Sequence, residues 1–478
     1  MKKLLIYSFI VFTTAFFISA DFNDGPQIWT QSLSNAGQIW GLALSAVSNP
    51  NVIYAASNST GVWKTTNAGL NWFQTNSGLS NLVLQCIAVC RSNSNVVMCG
   101  TTNSGTNPGV YRSTDGGANW VRVVNGITET NINIQSVAID PQNPNIAYIT
   151  VFDGTTNSVN GIYKTTDGGA LWTPITNGIG TIKNFLCITI NPLNPNVLYA
   201  GTSFDPITSS GPAKVYKSVN GGALWSDISN GLPSQTTDVK PIRQISIYPI
   251  DTSLLLLGQF VNTDTLSGGM YVSTNGGALW QRRNSGLPMA VGMLPRSCLI
   301  HPNAGSEMYV GLGNSTNTNI GIYRSTNYGI TWQEFNNGAM LNTYTVRALE
   351  FRVSAFTVYA GAAHPTLTSG QGVFEYTFIL NPVNDPASEI PKHFHLYQNY
   401  PNPFNPVTKF EFTIPKSTFV KLSVFDITGK LVSEILNTQL NAGNYKIDFN
   451  AAHLSSGTYF YTLEADGFRD TKKMMIVK

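Results

Sequence analysis

The sequence predicts an all-β chain, a seven-bladed β-propeller followed by a small β-sandwich domain. Three observations predict it. A ten-residue string recurs six times at nearly even spacing. A pair of apolar strands around a polar turn recurs seven times. Residues 397–478 then leave that period and read as a separate run of short strands.

The string is clearest as Tyr111 to Trp120 (YRSTDGGANW). It returns as Tyr163–Trp172, Tyr216–Trp225, Tyr271–Trp280 and Tyr323–Trp332, with an earlier copy at Trp63–Trp72. The closing tryptophans are 48, 52, 53, 55 and 52 residues apart. A period near 50 marks a repeat architecture. Each copy reads as two strands around a tight turn. Glycine takes positive φ there without steric cost, and a short acceptor side chain holds the backbone N–H groups across the turn. Asn67, Asp115, Asp167, Asn220, Asn275 and Asn327 therefore interchange, because the turn needs an acceptor and not a charge. Trp72, Trp120, Trp172, Trp225, Trp280 and Trp332 bury a large ring beside it.

Ahead of each string lie an apolar strand, a turn such as Asn143-Pro144-Asn145, and a second strand such as Ile146 to Ile149. The unit is thus four antiparallel strands, which at this period is a propeller blade. First strands begin near Trp40, Gln85, Gln135, Phe185, Arg243, Arg296 and Arg347, seven in all. The seventh third strand, Gly372 to Tyr376, has no string after it, while residues 27–33 resemble an outer strand without its blade. The N-terminal segment is expected to complete blade seven, which removes an open edge.

The pattern S/T-x-D/N-x-G-x-x-W resembles the Asp-box, or BNR, repeat of sialidase-like and sortilin-like propellers. The resemblance implies that the boxes mark outer hairpins away from the binding face and are not catalytic.

Charged residues make up 11% of the chain and the net charge is +3, too little to suggest nucleic acid as a partner. The apolar fraction of 42% excludes disorder. Lys2 and Lys3 precede an apolar run from Leu4 to Ile18 and a small-residue site at Ser19-Ala20, so residues 1–20 read as a signal peptide. The run is short of the roughly 20 residues a membrane span needs, and no transmembrane segment is expected in the mature chain. Five cysteines at these spacings make neither a disulfide framework nor a zinc site and are expected as core thiols. No metal and no cofactor is expected.

The propeller is expected over 21–380 and a Pro-rich linker without strand pattern over 381–396. Residues 397–478 offer six strand candidates, with hairpin turns expected at Asp426–Gly429 and Ser455–Gly457. Their YPNPFNP run from Tyr400 to Pro406, FDITGK turn from Phe425, LSSGTY from Leu454 and terminal KKMMIV resemble the C-terminal sorting domain of the type IX secretion system of Bacteroidota and relatives. That resemblance implies the secretion machinery as a partner through 397–478, and delivery outside the cell or to the outer-membrane surface.

Chemistry is sparse. In a four-stranded blade the Asn-Pro turns and the boxes share one face, and the longer variable loops share the other, where binding is usually built. A glycan or a surface protein is the partner expected there. A glycosidase needs two carboxylates about 5–9.5 Å apart. Glu129, Asp153, Asp205, Asp238 and Asp264 are scattered over that face with no pairing, and no catalytic residue is assigned. Arg243, Arg296 and Arg347 recur at the same point of three successive inner strands and form a candidate anion-binding rim. His301 and His364 have no partner pattern. The function expected is a non-catalytic binding or structural module. The alternative is a glycan hydrolase of the sialidase-like or xyloglucanase-like kind, though xyloglucanases resemble a pair of such propellers and one is present here.

Overall fold

The computed structural model describes residues 28–45, 49–128, 132–152, 160–180, 184–203, 212–234, 241–260, 268–288, 292–314, 320–337, 343–364, 371–378, 391–451 and 454–477. The proposed signal peptide, the five candidate carboxylates and linker residues 381–390 lie outside them.

The described residues fold into β-structure throughout, with one short 3-10 turn at Val353–Ala355. Six sheets of four antiparallel strands follow one another along the chain, with inner strands Ile39–Leu44, Leu84–Cys90, Asn133–Ile139, Phe185–Ile190, Ile242–Ile247 and Leu294–Ile300. A seventh four-stranded sheet takes Thr345–Arg352, Thr357–Ala363 and Gly372–Thr377 from one end of the ring and Thr30–Ser34 from the N-terminal side. Each inner strand packs against the next, and the seventh packs against the first, so the sheets close into a propeller-like ring. The early strand covers Gly372–Thr377 and gives sheet seven the same four strands as the others.

The repeated turn is built as its composition requires. In all six copies the Asp or Asn oxygen accepts the backbone N–H four residues on, from Asn71, Asn119, Leu171, Leu224, Leu279 and Thr331. The Ser or Thr two residues earlier accepts the N–H at the second glycine position, as Ser113 does from Gly117 at 2.8 Å. Charge is incidental to this geometry, since Asn serves as well as Asp. Hydrogen bonds to the carboxylate, led by that from the Asn119 amide, hold Asp115 down to about 2.

The tryptophan after the turn ties each sheet to the one before. Trp120, Trp172, Trp225, Trp280 and Trp332 each donate their ring N–H to a carbonyl of the preceding sheet, that of Thr75, Val123, Ile175, Ile228 and Arg283, at 2.8–3.0 Å. Their backbone N–H groups donate to a second carbonyl two residues further on, as Trp172 does to Asn125 at 2.8 Å. Gly126 makes the approach possible, because a Cβ there would lie 2.1 Å from the Trp172 carbonyl oxygen. Trp29 makes the same two bonds to Phe335 and Asn337, at 2.7 and 2.8 Å, so it is the closing tryptophan of sheet seven.

A second tie uses long side chains. Tyr54 and Lys64 both donate to the Gly116 carbonyl of the next turn, and Tyr148 with Lys164 and Tyr199 with Lys217 repeat the pair on Gly221 and Gly276. Sheet seven carries no such turn for sheet six to reach. There Tyr309 and Arg324 donate instead to the Glu307 carboxylate, which replaces the missing carbonyl.

The junction of sheets seven and one departs from the pattern. The residue at the glycine position after the outer strand is Asn35, at φ +61°. Trp72 is half-buried and its ring N–H is buried without a partner. Glu375 stands where other sheets carry Lys64, Lys164 or Lys217, and one of its oxygens is buried and unpaired.

The C-terminal part is a small sandwich. One sheet holds His395–Leu396, Val407–Ile414 and Gly443–Asn450, and the other Leu431–Leu440, Thr418–Phe425, Gly457–Ala465 and Phe468–Ile476. Phe410, Phe412, Leu422, Val424, Tyr461 and Leu463 are buried between them. Two expectations are corrected by this arrangement. His395 and Leu396, assigned to the linker, pair with Thr413 and Phe412. Ser455–Gly457 is no hairpin turn, because the strands on either side of it belong to different sheets. Turn composition alone does not reveal which strands a turn joins.

Trp29→Ala should destabilise the protein by about 3–5 kcal/mol in urea unfolding, since it deletes a buried ring and its two ties. Trp72→Ala should cost clearly less, and equal losses would refute the contrast. Burial raises Glu375 from its ordinary 4.5 to about 7. The folded state then holds a proton that the unfolded state releases, so stability falls as pH rises from about 4.5 to 7. Glu375→Gln should accordingly raise the urea midpoint at pH 8 and leave it unchanged at pH 4.

Candidate functional site

The seven inner strands share one irregularity. In each, the pairing register with the second strand slips by one residue, at Trp40, Gln85, Gln135, Leu186, Arg243, Arg296 and Arg347. A bulge leaves one residue out of the ladder and re-aims its side chain. All seven bulged residues line a single central cavity of about 360 Å³. Strand alternation matched Phe185 to this position. The bulged residue is Leu186, one further on, while Phe185 pairs with Thr202 and is buried in the sheet core.

The residue after the bulge is small in every sheet but the fifth: Gly41, Cys86, Ser136, Cys187, Ser297 and Ala348, with Gln244 in the fifth. Cys86, Cys187 and Ser297 donate to the carbonyls of Ile134, Ile242 and Val346, the residues just before the next bulge. Those thiols therefore do the same work as a serine hydroxyl. All five cysteines are free, and burial pushes Cys86 and Cys187 up to about 12, so they stay protonated.

Arg243, Arg296 and Arg347 come from adjacent sheets five, six and seven, and so form one continuous arc of the cavity wall. Gln85 and Gln135, joined by an amide hydrogen bond of 3.3 Å, lie across the ring from Arg296. The Arg347 guanidinium sits 4.1 Å from the Trp40 ring centroid. None of the three arginines makes a hydrogen bond or ion pair with the described residues, and the Nε of each is buried without a partner. Burial and the two neighbouring guanidiniums push Arg296 down to about 8, and burial with Arg243 pushes Arg347 down to about 10. Confined together without an ion-pair partner among the described residues, they are in a condition that an anion relieves.

Two charged residues that sequence reasoning missed complete the lining. Glu350 lies three residues beyond the bulge of sheet seven, where other sheets carry Ala43, Ala88, Ala138 and Thr189. Arg91 lies six residues beyond the bulge of sheet two, where other units carry Pro141, Pro192, Pro249 and Pro302. Arg91 breaks a proline position and was detectable on that ground; Glu350 follows an ordinary strand alternation and was not. His301 is buried, its Nδ1 accepts the Asn303 N–H at 3.1 Å, and its ring lies against Phe351, so it is structural. No cluster of metal ligands occurs among the described residues.

Residues 398–478 match the family of secretion system C-terminal sorting domains. The protein is secreted or displayed at the cell surface, and no helix of the described residues is long and apolar enough to cross a membrane. The chain is similar in fold to the GH74 xyloglucanase of Xanthomonas campestris, with a TM-score of 0.56, 13% identity, and coverage of 81% of this chain and 60% of that one. The Niastella koreensis GH74 enzyme gives a TM-score of 0.51 at 17% identity, over 96% of this chain and 69% of that one. A probable oligoxyloglucan-reducing end-specific xyloglucanase of Neosartorya fischeri is 25% identical over 181 residues, 37% of this chain and 20% of that protein. The chain thus spans a fifth of that relative's length and three fifths of the Xanthomonas enzyme's.

Since Arg296 has like charges beside it and no partner, Arg296→Met should raise the denaturant midpoint at pH 7 in chloride buffer. Sulfate should stabilise the parent protein more than the variant. A midpoint lowered by the substitution, with equal sulfate effects, would show that the guanidinium is a structural anchor.

Proposed function

We propose that the chain is a secreted, seven-bladed Asp-box propeller, exported through its 397–478 domain, that binds glycans carrying an anionic group at the mouth of its central channel. One observation carries the reading: three guanidiniums without a hydrogen-bond or ion-pair partner among the described residues, on one arc of a cavity large enough for a sugar. The fold similarity to two GH74 enzymes supports a glycan ahead of a protein partner. The bulged residues stand at the start of the inner strands, the end from which the variable loops leave, so the mouth opens on that face.

Hydrolysis is the second reading, and the comparisons with xyloglucanases favour it. It needs a second carboxylate within about 5–9.5 Å of the first. Glu350 is the one carboxylate among the described lining residues, and Glu129, Asp153, Asp205, Asp238 and Asp264 are the acids from which a pair would have to come.

Calorimetric titration with acidic and neutral oligosaccharides separates the readings from a plain scaffold. Acidic glycans should bind, more weakly as salt rises, and alanine at Arg243, Arg296 or Arg347 should cost about 2 kcal/mol through loss of a charged hydrogen bond. Release of reducing ends from xyloglucan oligosaccharides, abolished by alanine at two of the named acids, would establish the hydrolase. Binding unchanged in the triple alanine variant would remove the arginine arc from the function.

A further inference from the structure

The channel is not uniform along its length. Its mouth holds three guanidiniums and two amides, and the next charged group inward is the lone carboxylate of Glu350. Three residues of extended strand separate Arg347 from Glu350, roughly 10 Å of backbone. Both ends of that span line the same cavity of about 360 Å³, room for one sugar unit. Seven strands enclose the cavity on all sides, so a ligand enters end-on and cannot thread through sideways.

Resting on the reading that the mouth takes an anion, we propose that Glu350 is the specificity-determining inner contact of the channel. It selects a single uronate unit, whose carboxylate lies on the arginine arc and whose hydroxyl edge meets Glu350. The unit is taken up together with one proton.

The groups around Glu350 make the proton linkage specific. Ala43, Ala88, Ala138 and Thr189 face it from sheets one to four and do not titrate. Cys86 and Cys187, pushed up to about 12, stay neutral. Arg91 from sheet two is the charged group that acts on it, while Arg347 on its own strand and Arg243 and Arg296 from sheets five and six line the same cavity. Burial raises Glu350 from 4.5 to about 7, against the opposing pull of Arg91. A second anion entering the channel raises it further, because two like charges in one small cavity cannot both be accommodated cheaply. Protonated Glu350 also becomes a donor, able to hydrogen-bond a sugar oxygen that a carboxylate would repel. The recognised molecule is either a free uronate or the terminal residue of an acidic chain; both present the same chemistry to the channel.

The test is calorimetric titration of the full chain with galacturonate, its methyl ester, galactose and a galacturonate oligomer, between pH 5.5 and 7.5. Galacturonate should bind, while the ester and galactose should bind at least tenfold more weakly. Affinity should fall with rising pH and approach tenfold per unit above the Glu350 titration, the slope for one linked proton. Glu350→Gln should make the affinity independent of pH over that range, and Arg296→Met should weaken binding about thirtyfold at every pH. Oligomer binding on a par with the monomer points to a chain end, and monomer binding alone to a free uronate; either supports the channel site. Should Glu350→Gln fail to fold, proton uptake by the parent protein, measured in two buffers of different ionisation enthalpy, reads the linkage directly: uptake near zero at pH 5.5 that rises towards one proton above pH 7 supports the inference, and none at pH 7.5 overturns it. A pH slope that persists in Glu350→Gln, with binding still weakened in Arg296→Met, overturns this inference and leaves the anion-binding mouth standing. Sulfate stabilisation without uronate binding does likewise, whereas equal behaviour of the parent and Arg296→Met towards all anions overturns both.

Discussion

One buried indole on six of the seven sheets, fastened to the backbone of its neighbour, is the interaction on which the ring depends. Two bonds from each of these six tryptophans reach carbonyls two residues apart just past the preceding outer strand, so they fix both the spacing of the sheets and their rotation. Burial supplies most of the energy and the paired donors supply the register, since a buried indole N–H left unpaired is costly. The tie demands a carbonyl within contact of a neighbouring Cα, which only glycine permits. Where Asn35 takes that place, Trp72 lacks a partner for its ring N–H, so the last junction to close is also the least tied. Thr30–Ser34 pairs there with Gly372–Thr377 over four residue pairs, against two or three for the outer strands of the other sheets, and so fastens the N-terminal strand to the last sheet.

The same ring creates the cavity and decides what can line it. Seven edges converge, and a regular strand would turn its side chains to the neighbouring sheets and leave the axis to backbone. The bulge at one level of every inner strand turns one side chain per sheet onto the axis instead. Small residues directly after the bulge let the next strand approach, and three of them spend their polar atom on the carbonyl at the adjoining bulge. Scaffold and site are thus one device. The ring supplies position, and the identity of seven residues supplies chemistry.

Much of this was legible in the sequence, because the ties are made by residues of unmistakable type at a fixed period. The repeated turns, the seven-fold count of inner strands and the pairing of the N-terminal strand with sheet seven all follow from turn chemistry and strand number. The equivalence of Arg243, Arg296 and Arg347 was readable for the same reason. The bulge was not, since one extra residue in a strand leaves apolar alternation nearly intact, and Leu186 was misplaced by one residue as a result. Glu350 was hidden more deeply. Strand alternation distinguishes one sheet face from the other, but an inner edge strand also faces the axis, a direction that alternation does not encode. The role of Cys86 and Cys187 was hidden too, because a thiol that replaces a hydroxyl reads simply as an apolar residue.

Charge is distributed unevenly between the exterior and the axis. Over 478 residues the chain has a net charge of +3, and only 11% of its residues are charged. The cavity alone gathers four arginines against one glutamate. A surface this weakly charged offers little long-range attraction to draw anions in, and salt screens what there is within about 10 Å. On the proposed reading, discrimination arises inside the cavity, where each partly buried guanidinium is worth far more than at the surface. A nearly neutral exterior with a cationic axis favours selection by fit and hydrogen bonding over electrostatic capture, as suits a protein that works among a surplus of weakly interacting anions outside the cell.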